Sequence, residues 1–435
     1  MSDFDLIIRG AQDVAVADGK IVALGENLSG SSLREIDAAS LALFPGVIDA
    51  HVHFNEPGRT EWEGFATGSR AAAAGGTTTI FDMPLNAHPP TIDGPSFDGK
   101  RAAAEASCSV DFGLWGGLVP GNLAELETLR DRGVVGLKAF MANSGIGDFP
   151  AVDDRTLREG MQRAAELRMI VAVHAESETM TRGLTEGALA AGKTTVRDYL
   201  ETRPVEAELD AIRHALEAAV ATGCRLHIVH VSCGRGVQLI AEARARGIDV
   251  SCETCPHYLV LNEEDMVALG AVAKCAPPLR SAAEQGDLRR RLTDIQTIGS
   301  DHSPSPPEMK THDDFFQVWG GISGCQHLLP LLLNCENISH AEITRLTSVS
   351  VAARFGLSQK GALAVGKDAD FSLVDLAADE IVTADSLHYR HRQSPYLGRR
   401  LRGRVVETFL RGQTVFENGS FTDRPRGRLV RPGLS

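Results

Sequence analysis

Short apolar runs recur through the middle of the chain, each followed by a stretch rich in Ala, Leu, Glu and Arg. Eight runs stand out, at residues 42–49, 77–83, 111–118, 133–140, 169–173, 225–231, 248–252 and 297–299, with helical patterns at 155–167, 205–222 and 236–246. Strands that are apolar throughout, rather than at alternate positions, belong to a parallel sheet covered on both faces by helices. Eight repeats favour a closed barrel over an open doubly wound sheet. No Gly-x-Gly-x-x-Gly follows the first run, as a dinucleotide-binding sheet would require. The two ends read differently, with β-rich runs at 5–10, 19–25, 370–374 and 404–412, several of them bounded by glycine. The expected fold class is therefore α/β: a (β/α)8 TIM barrel over 46–349, and a small β-sandwich-like domain built jointly from 1–45 and 350–435.

Composition narrows the function. The 435 residues are 43% hydrophobic and 23% charged, which excludes disorder, collagen and coiled coil. A formal net charge of −13 argues against nucleic acid as a partner, since phosphate binding needs a basic face. The acidic start Met1-Ser2-Asp3-Phe4-Asp5 lacks the basic flank of a signal peptide, and no apolar run approaches the roughly 20 residues of a membrane span. We expect a cytoplasmic protein with no membrane partner. The eight cysteines are scattered and read as free, small core residues. Cys252-x-x-Cys255 has no second cysteine pair and no thioredoxin-like context, so it reads as structural.

In such a barrel the chemistry lies at the C-terminal ends of the strands. Strand one ends in Asp49-Ala50-His51-Val52-His53, where a spacing of two puts both imidazoles on one face. Lys138 sits within the apolar run of strand four, strand five ends in Val173-His174-Ala175-Glu176, strand six in Val229-His230, and strand eight in Ser300-Asp301-His302-Ser303. Singly, each has a bland reading: a rim histidine, a lysine that snorkels to solvent, an aspartate capping a helix. Together they deliver ligand-type groups to one height of the barrel, which points to a metal site. An ammonium cannot ligate a cation. Burial favours a free amine on Lys138, and its reaction with CO2 would give a carbamate able to bridge two ions. The expected site holds two divalent ions: His51, His53 and Asp301 on one, His174 and His230 on the other, carboxylated Lys138 on both. Imidazole and carboxylate suit Zn2+, with Co2+, Mn2+ or Fe2+ as alternatives.

This series of H-x-H, Lys, His, His and Asp on eight strands resembles the amidohydrolase superfamily. Within it the chain resembles the cyclic amidase branch of dihydroorotases, hydantoinases and allantoinases. The likeness includes Pro45-Gly46-Val47-Ile48-Asp49 before the H-x-H, and Gly361-Ala362-Leu363-Ala364-Val365-Gly366-Lys367-Asp368-Ala369-Asp370 near the return to the β-domain. Dihydroorotases usually carry Arg where this chain has Asn55, and hydantoinases usually lack Glu56-Pro57-Gly58. Allantoinases fit several segments at once. These are Asn55 to Gly64, Asp82-Met83-Pro84-Leu85-Asn86, Cys252 to Tyr258, Lys274-Cys275-Ala276-Pro277-Pro278, Ser300 to Lys310, and Trp319-Gly320-Gly321-Ile322.

The resemblance implies hydrolysis of allantoin, a neutral hydantoin ring with a ureido arm, to allantoate in purine breakdown. A shared hydroxide would be the nucleophile and Asp301 the general base, then acid. It implies substrate contacts from Ser303, Asn86 and the main chain of Ala276 and Gly321, and a homotetramer. Arg59 would either bind the ureido arm or form a surface salt bridge. His257 and Tyr258 are expected at the site's rim, and His88 in a loop as a lid residue or simply exposed. Relatives often have Ser or Asn where this chain has Ala276. The alternatives are a hydantoinase or dihydropyrimidinase-type cyclic amidase, a dihydroorotase, or a non-catalytic scaffold, the last opposed by the complete ligand set.

Overall fold

The structure is a computed structural model that describes residues 2–422 and 427–433. Met1, 423–426 and 434–435, assigned above to the β-domain, lie outside the described residues. Eight parallel strands form the barrel: Val47–Val52, Thr77–Asp82, Asp111–Leu114 continued by Gly116–Gly117, Leu137–Phe140, Ile170–His174, Arg225–Ile228, Val250–Thr254 and Thr297–Ile298. Each pairs with the next in chain order. The eighth strand is short, and the ring is closed beyond its end: His302 bridges Val52, and the His53 N–H donates to the His302 carbonyl at 2.8 Å. Helices cover the outside, which is why the strands read as unbroken apolar runs. Their ends obey local chemistry. Asp153 accepts the Thr156 N–H to cap Asp154–Glu166, and Gly133, at φ 91°, ends Leu126–Arg132 in the left-handed region.

The first run, 42–49, is not one strand. Ala42–Pro45 pairs antiparallel with Phe371–Val374 in the terminal sheet, while the barrel strand begins at Val47. Pro45 ends the first ladder, and Gly46 makes the turn where a side chain is impossible, since a Cβ there would lie 2.1 Å from Thr78 Oγ1. The terminal sheets are Phe4–Arg9, Asp13–Ala17, Lys20–Gly25 and Ser32–Asp37 on one side, and Ala42–Pro45, Phe371–Ile381, Arg400–Leu410, Gln413–Glu417 and Ser420–Phe421 on the other. Leu6, Ile8, Val14, Val16 and Ile21 share one core with Phe371, Leu373 and Phe409.

The junction expected at residue 350 falls at the start of the helix Ser350–Arg354. Phe355, just after it, packs edge-on against Phe81 and Trp115 inside the barrel, at ring separations of 5.1 and 5.4 Å. The chain re-enters β structure only at Phe371. Lys360 then ties barrel to β-domain, its Nζ 2.7 Å from Asp111 and 3.2 Å from Asp368, and bonded also to Asp370. This acidic cluster has the composition of a metal site, but the ammonium already sits at its centre. Among the described residues no helix is long and apolar enough to cross a membrane.

Candidate metal centre and catalytic cavity

The strand ends deliver the expected side chains to one place. His51 Nε2 and His53 Nε2 lie 3.2 and 3.4 Å from the same oxygen, Asp301 Oδ1. Beside them, His174 Nδ1 and His230 Nε2 face each other at 3.1 Å. The His51 and His230 rings are 5.5 Å apart, which joins the two groups. Lys138 is fully buried, its Nζ 3.8 Å from the centre of the Phe140 ring, which in turn stacks on His174 at 4.6 Å. The Lys138 Nζ makes one long contact, 3.4 Å to the Ala139 carbonyl, and forms no ion pair among the described residues.

Two of these residues hold an unusual backbone. His230 and Asp301 have φ of 42° and 46°, in the left-handed region that costs a non-glycine residue about 1–3 kcal/mol. His230 stands two residues and Asp301 three residues beyond the end of a strand, where the turn of the backbone sets the direction of the side chain.

The electrostatics favour the binding form at all of these side chains but His51. There burial acts to lower the imidazole, but Asp301 and Glu253 outweigh it and raise it, so that an arriving ion displaces its proton. Burial lowers His53, His174 and His230, the last well below the usual imidazole value, so these rings are neutral. Burial alone would raise the Asp301 carboxyl, but the charge of His51 and the hydrogen bond from His53 outweigh it and hold it far below the ordinary range. Burial pushes Lys138 down to about 7, against the pull of Asp301 and Glu253. Four imidazoles, a carboxylate and a buried amine with no ion pair among the described residues suit divalent metal. The donor atoms of His51, His53 and Asp301 all lie within 4.8 Å of one another, and His230 Nδ1 is a buried nitrogen with no protein partner.

Behind the histidines stand two carboxylates to which the sequence reading gave no role. Glu253, on the seventh strand, takes His51 Nδ1 at 2.8 Å, and Glu176 takes His174 Nε2 at 2.8 Å. Burial alone would raise both carboxyls. The positive charge of His51 pulls Glu253 down to about 2, and Arg203 does the same for Glu176. Such carboxylates fix the tautomer and orientation of a ligating imidazole. We expect Glu253→Gln to weaken metal binding by about 10–100-fold, read by competition with a chromogenic chelator. Unchanged affinity would mean that Glu253 does not orient His51.

The cavity in front of the histidines is about 700 Å3. His51, His53, Asn86, His174, His230, Ala276, Asp301, Ser303 and Gly321 all line it, whereas Lys138 lies beneath its surface. Asn86, at φ 67°, has its amide Nδ2 3.3 Å from His53 Nδ1, so it touches His53 as well as the cavity. Ala276 is held between two anchored carbonyls: Tyr199 donates its hydroxyl to Cys275 at 2.9 Å, and Tyr258 to Pro277 at 2.7 Å. Gly321 must be glycine, because a Cβ would sit 2.1 Å from the Ser303 carbonyl. Its own main chain is engaged, the N–H with Lys274 O at 2.8 Å and the carbonyl with Lys310 Nζ at 2.7 Å.

Arg59 takes the second of its two expected roles. It pairs with Asp148 at 3.2 Å and donates to the carbonyls of Asn86 and Ala87, so it braces that loop without lining the cavity. His88 is exposed and bonds the same Asp148 at 2.8 Å. His257 is buried beside Tyr258, both of its ring nitrogens without a protein partner. Cys252 and Cys255 are buried and unpaired.

Comparison with known proteins agrees with this geometry. The Amidohydrolase family pattern matches residues 42–415. An allantoinase of Rubrobacter xylanophilus is 55% identical over 99% of this chain and 98% of its own length. An allantoinase of Solibacter usitatus is 51% identical over 98% of this chain and 97% of its own length. Among solved structures, an L-hydantoinase (dihydropyrimidinase) from Arthrobacter aurescens superposes with a TM-score of 0.95 at 36% identity, covering 98% of this chain and 100% of that one. A barrel with these strand-end histidines and aspartate and full-length likeness of this degree leave one assignment: the chain belongs to the amidohydrolase family.

Proposed function

We propose that the chain opens the hydantoin ring of allantoin by hydrolysing its amide, giving allantoate. The observation that carries this reading is the identity of 55% to an allantoinase over essentially the whole of both chains. Asn55 supports it, since that position offers no cation for a substrate carboxylate and instead donates to the Pro304 carbonyl at 3.4 Å.

In this reading His51, His53 and Asp301 hold one divalent ion, His174 and His230 a second, and Lys138, carboxylated on Nζ, both. The lack of an ion pair at Lys138 among the described residues favours the carbamate, and the nitrogen-rich donor set favours Zn2+. Bound there, the ions supply Lewis-acid polarisation of the amide carbonyl and an ionised water at neutral pH. Asp301 accepts the proton of the attacking water and returns it to the departing ring nitrogen. Glu253 and Glu176 keep His51 and His174 oriented throughout. Ser303, Asn86 and the main chain at Ala276 face the ring. The Gly321 N–H already donates to Lys274, so Gly321 acts by leaving room for Ser303. The working protein is a cytoplasmic homotetramer.

The likeness to the L-hydantoinase structure supports a second reading, a cyclic amidase of 5-substituted hydantoins or dihydropyrimidines. The test is turnover of allantoin beside hydantoin, dihydrouracil and dihydroorotate, on protein of measured metal content. Preferred hydrolysis of allantoin at about two metals per chain is the expected result. Metal-replete protein that opens hydantoin or dihydrouracil but not allantoin would move the substrate and keep the mechanism.

A further inference from the structure

Two lysines that the reaction does not use lie against the cavity wall. Lys274 follows the short helical turn Gly270–Ala273, and Lys310 ends the turn Pro307–Lys310. The Nζ of Lys274 donates to three carbonyls, Phe315 at 2.6 Å, Phe316 at 3.3 Å and Val318 at 2.6 Å. The Nζ of Lys310 also donates to three, Ala271 at 3.1 Å, Trp319 at 2.8 Å and Gly321 at 2.7 Å. An ammonium has three donors and no acceptor, so each is fully satisfied by main chain. Neither forms an ion pair with a carboxylate among the described residues. The Lys274 head also lies 4.7 Å from the Tyr199 ring and 5.2 Å from the Phe315 ring.

Five of the six carbonyls belong to one stretch, 315–321, and residues 316–321 line the cavity. The stretch is also anchored at its start, where the Phe315 N–H donates to the Thr194 carbonyl, the Phe316 N–H to the Asp314 carboxylate and the Gln317 N–H to the Asp314 carbonyl. Phe315 and Val318 are buried, but the carbonyls of the stretch are gathered by the two lysines. Its residues form no helix or strand, and Ile322 just beyond it makes an isolated bridge to His302. The circuit closes on itself, because the Gly321 N–H donates to the carbonyl of Lys274 and the Trp319 N–H to Met309. The same Lys274 leads directly into Cys275 and Ala276 on the neighbouring wall. Burial pushes both lysines down to about 7, helped at Lys310 by repulsion from Lys274, whereas the three accepting carbonyls around each head favour the ammonium form. In that form the two organise successive carbonyls of an irregular loop with charge-assisted bonds that surpass neutral ones in strength.

We propose that Lys274 and Lys310 are positioning residues for the hydrolytic reaction: two ammonium groups that hold the main chain of 315–321 as a preformed wall of the substrate cavity. The proposal rests on the cavity being the substrate site, as argued above. Its effect falls on substrate binding, because neither lysine touches the histidines, Lys138 or Asp301 that hold metal and move protons.

The test is steady-state kinetics of Lys274→Met and Lys310→Met, each of which keeps most of the stem and removes the donors. We expect KM for allantoin to rise about tenfold or more, the loss of about 1.4 kcal/mol of binding. Metal content should stay at the wild-type value, and kcat should change far less than KM. A role in folding alone would lower the melting temperature and leave KM of the surviving enzyme unchanged, and that result overturns the proposal. So does a parallel fall of metal and kcat at constant KM.

Hydrogen exchange on the wild-type protein supplies the second arm, needed where the variants do not fold or allantoin is not the substrate. The amides of Trp319 and Gly321 should be protected to nearly the level of the barrel strands. Exchange at the rate of an open loop overturns the proposal, whatever the substrate proves to be. Absence of allantoin turnover in the wild type, with those amides protected, overturns the substrate reading alone.

Discussion

Lys138→Ala should lose metal and activity together, and small carboxylic acids should restore part of both. The wild-type lysine is wholly buried, forms no ion pair among the described residues, and stands in the barrel below the facing side chains of His174 and His230 and of His51 and Asp301. A plain ammonium there would repel the cations that the histidines invite. A carbamate replaces one positive charge by a negative one and supplies two oxygens. Truncation to Ala leaves a cavity the size of a propylamine chain, into which acetate or propionate can carry a carboxylate. The expected loss without rescue is on the order of 10³-fold or more in kcat/KM, equivalent to about 4 kcal/mol of transition-state stabilisation. Metal analysis by mass spectrometry should show the stoichiometry falling in step. Full activity and full metal in Lys138→Ala would remove the lysine from the mechanism, and metal retention with activity lost would make it a substrate contact.

Asp301→Asn should separate proton transfer from metal binding. The amide oxygen of Asn can still meet an ion, but Asn cannot take up a proton. We expect kcat to fall by about 10²–10⁴-fold, the usual worth of a general base, in protein assayed with excess metal. The charge state permits the role: His51 and the hydrogen bond from His53 keep the carboxyl ionised, so an unprotonated oxygen faces the cavity before the step. A variant within tenfold of wild type, with metal saturated, would place the proton elsewhere. His257, buried with both nitrogens free of protein partners, would then be the group to examine.

Much of this site is legible in the sequence because a barrel strand ends where its chemistry begins. His51, His53, His174, His230 and Asp301 each close an apolar run, so the fold itself aligns them. What escapes is whatever depends on a distant partner. Glu253 reads as one polar residue in a strand until the barrel carries it to His51, about 200 positions earlier in the chain. Glu176 looks like a loop residue until Arg203, on a later segment, holds it under His174. Arg59 is ambiguous by type alone, and only Asp148 settles where it points. In the fold, the run 42–49 looks continuous because hydrophobicity does not reveal that Pro45-Gly46 hands the chain from one sheet to another. Residue 350 looks like a boundary because a helical pattern does not say which layer it packs against. Lys274 and Lys310 stand out only by belonging to two of the segments that resemble allantoinases, and their partners are carbonyls, which carry no side-chain signature.

The handover at Pro45-Gly46 also sets the order in which the molecule can be made. The strand that enters the barrel carrying His51 is the direct continuation of one whose sheet neighbour begins at Phe371. Roughly 330 residues separate the two, and at about 5–20 residues per second a ribosome needs tens of seconds to supply them. Throughout that interval Ala42–Pro45 waits as an unpaired edge, and the apolar sheet of Phe4–Ile21 has no facing sheet to cover it. The nascent chain must therefore keep its earliest strands soluble while most of the barrel forms, a burden that falls on chaperones, on slow collapse of the N-terminal hairpins, or on both.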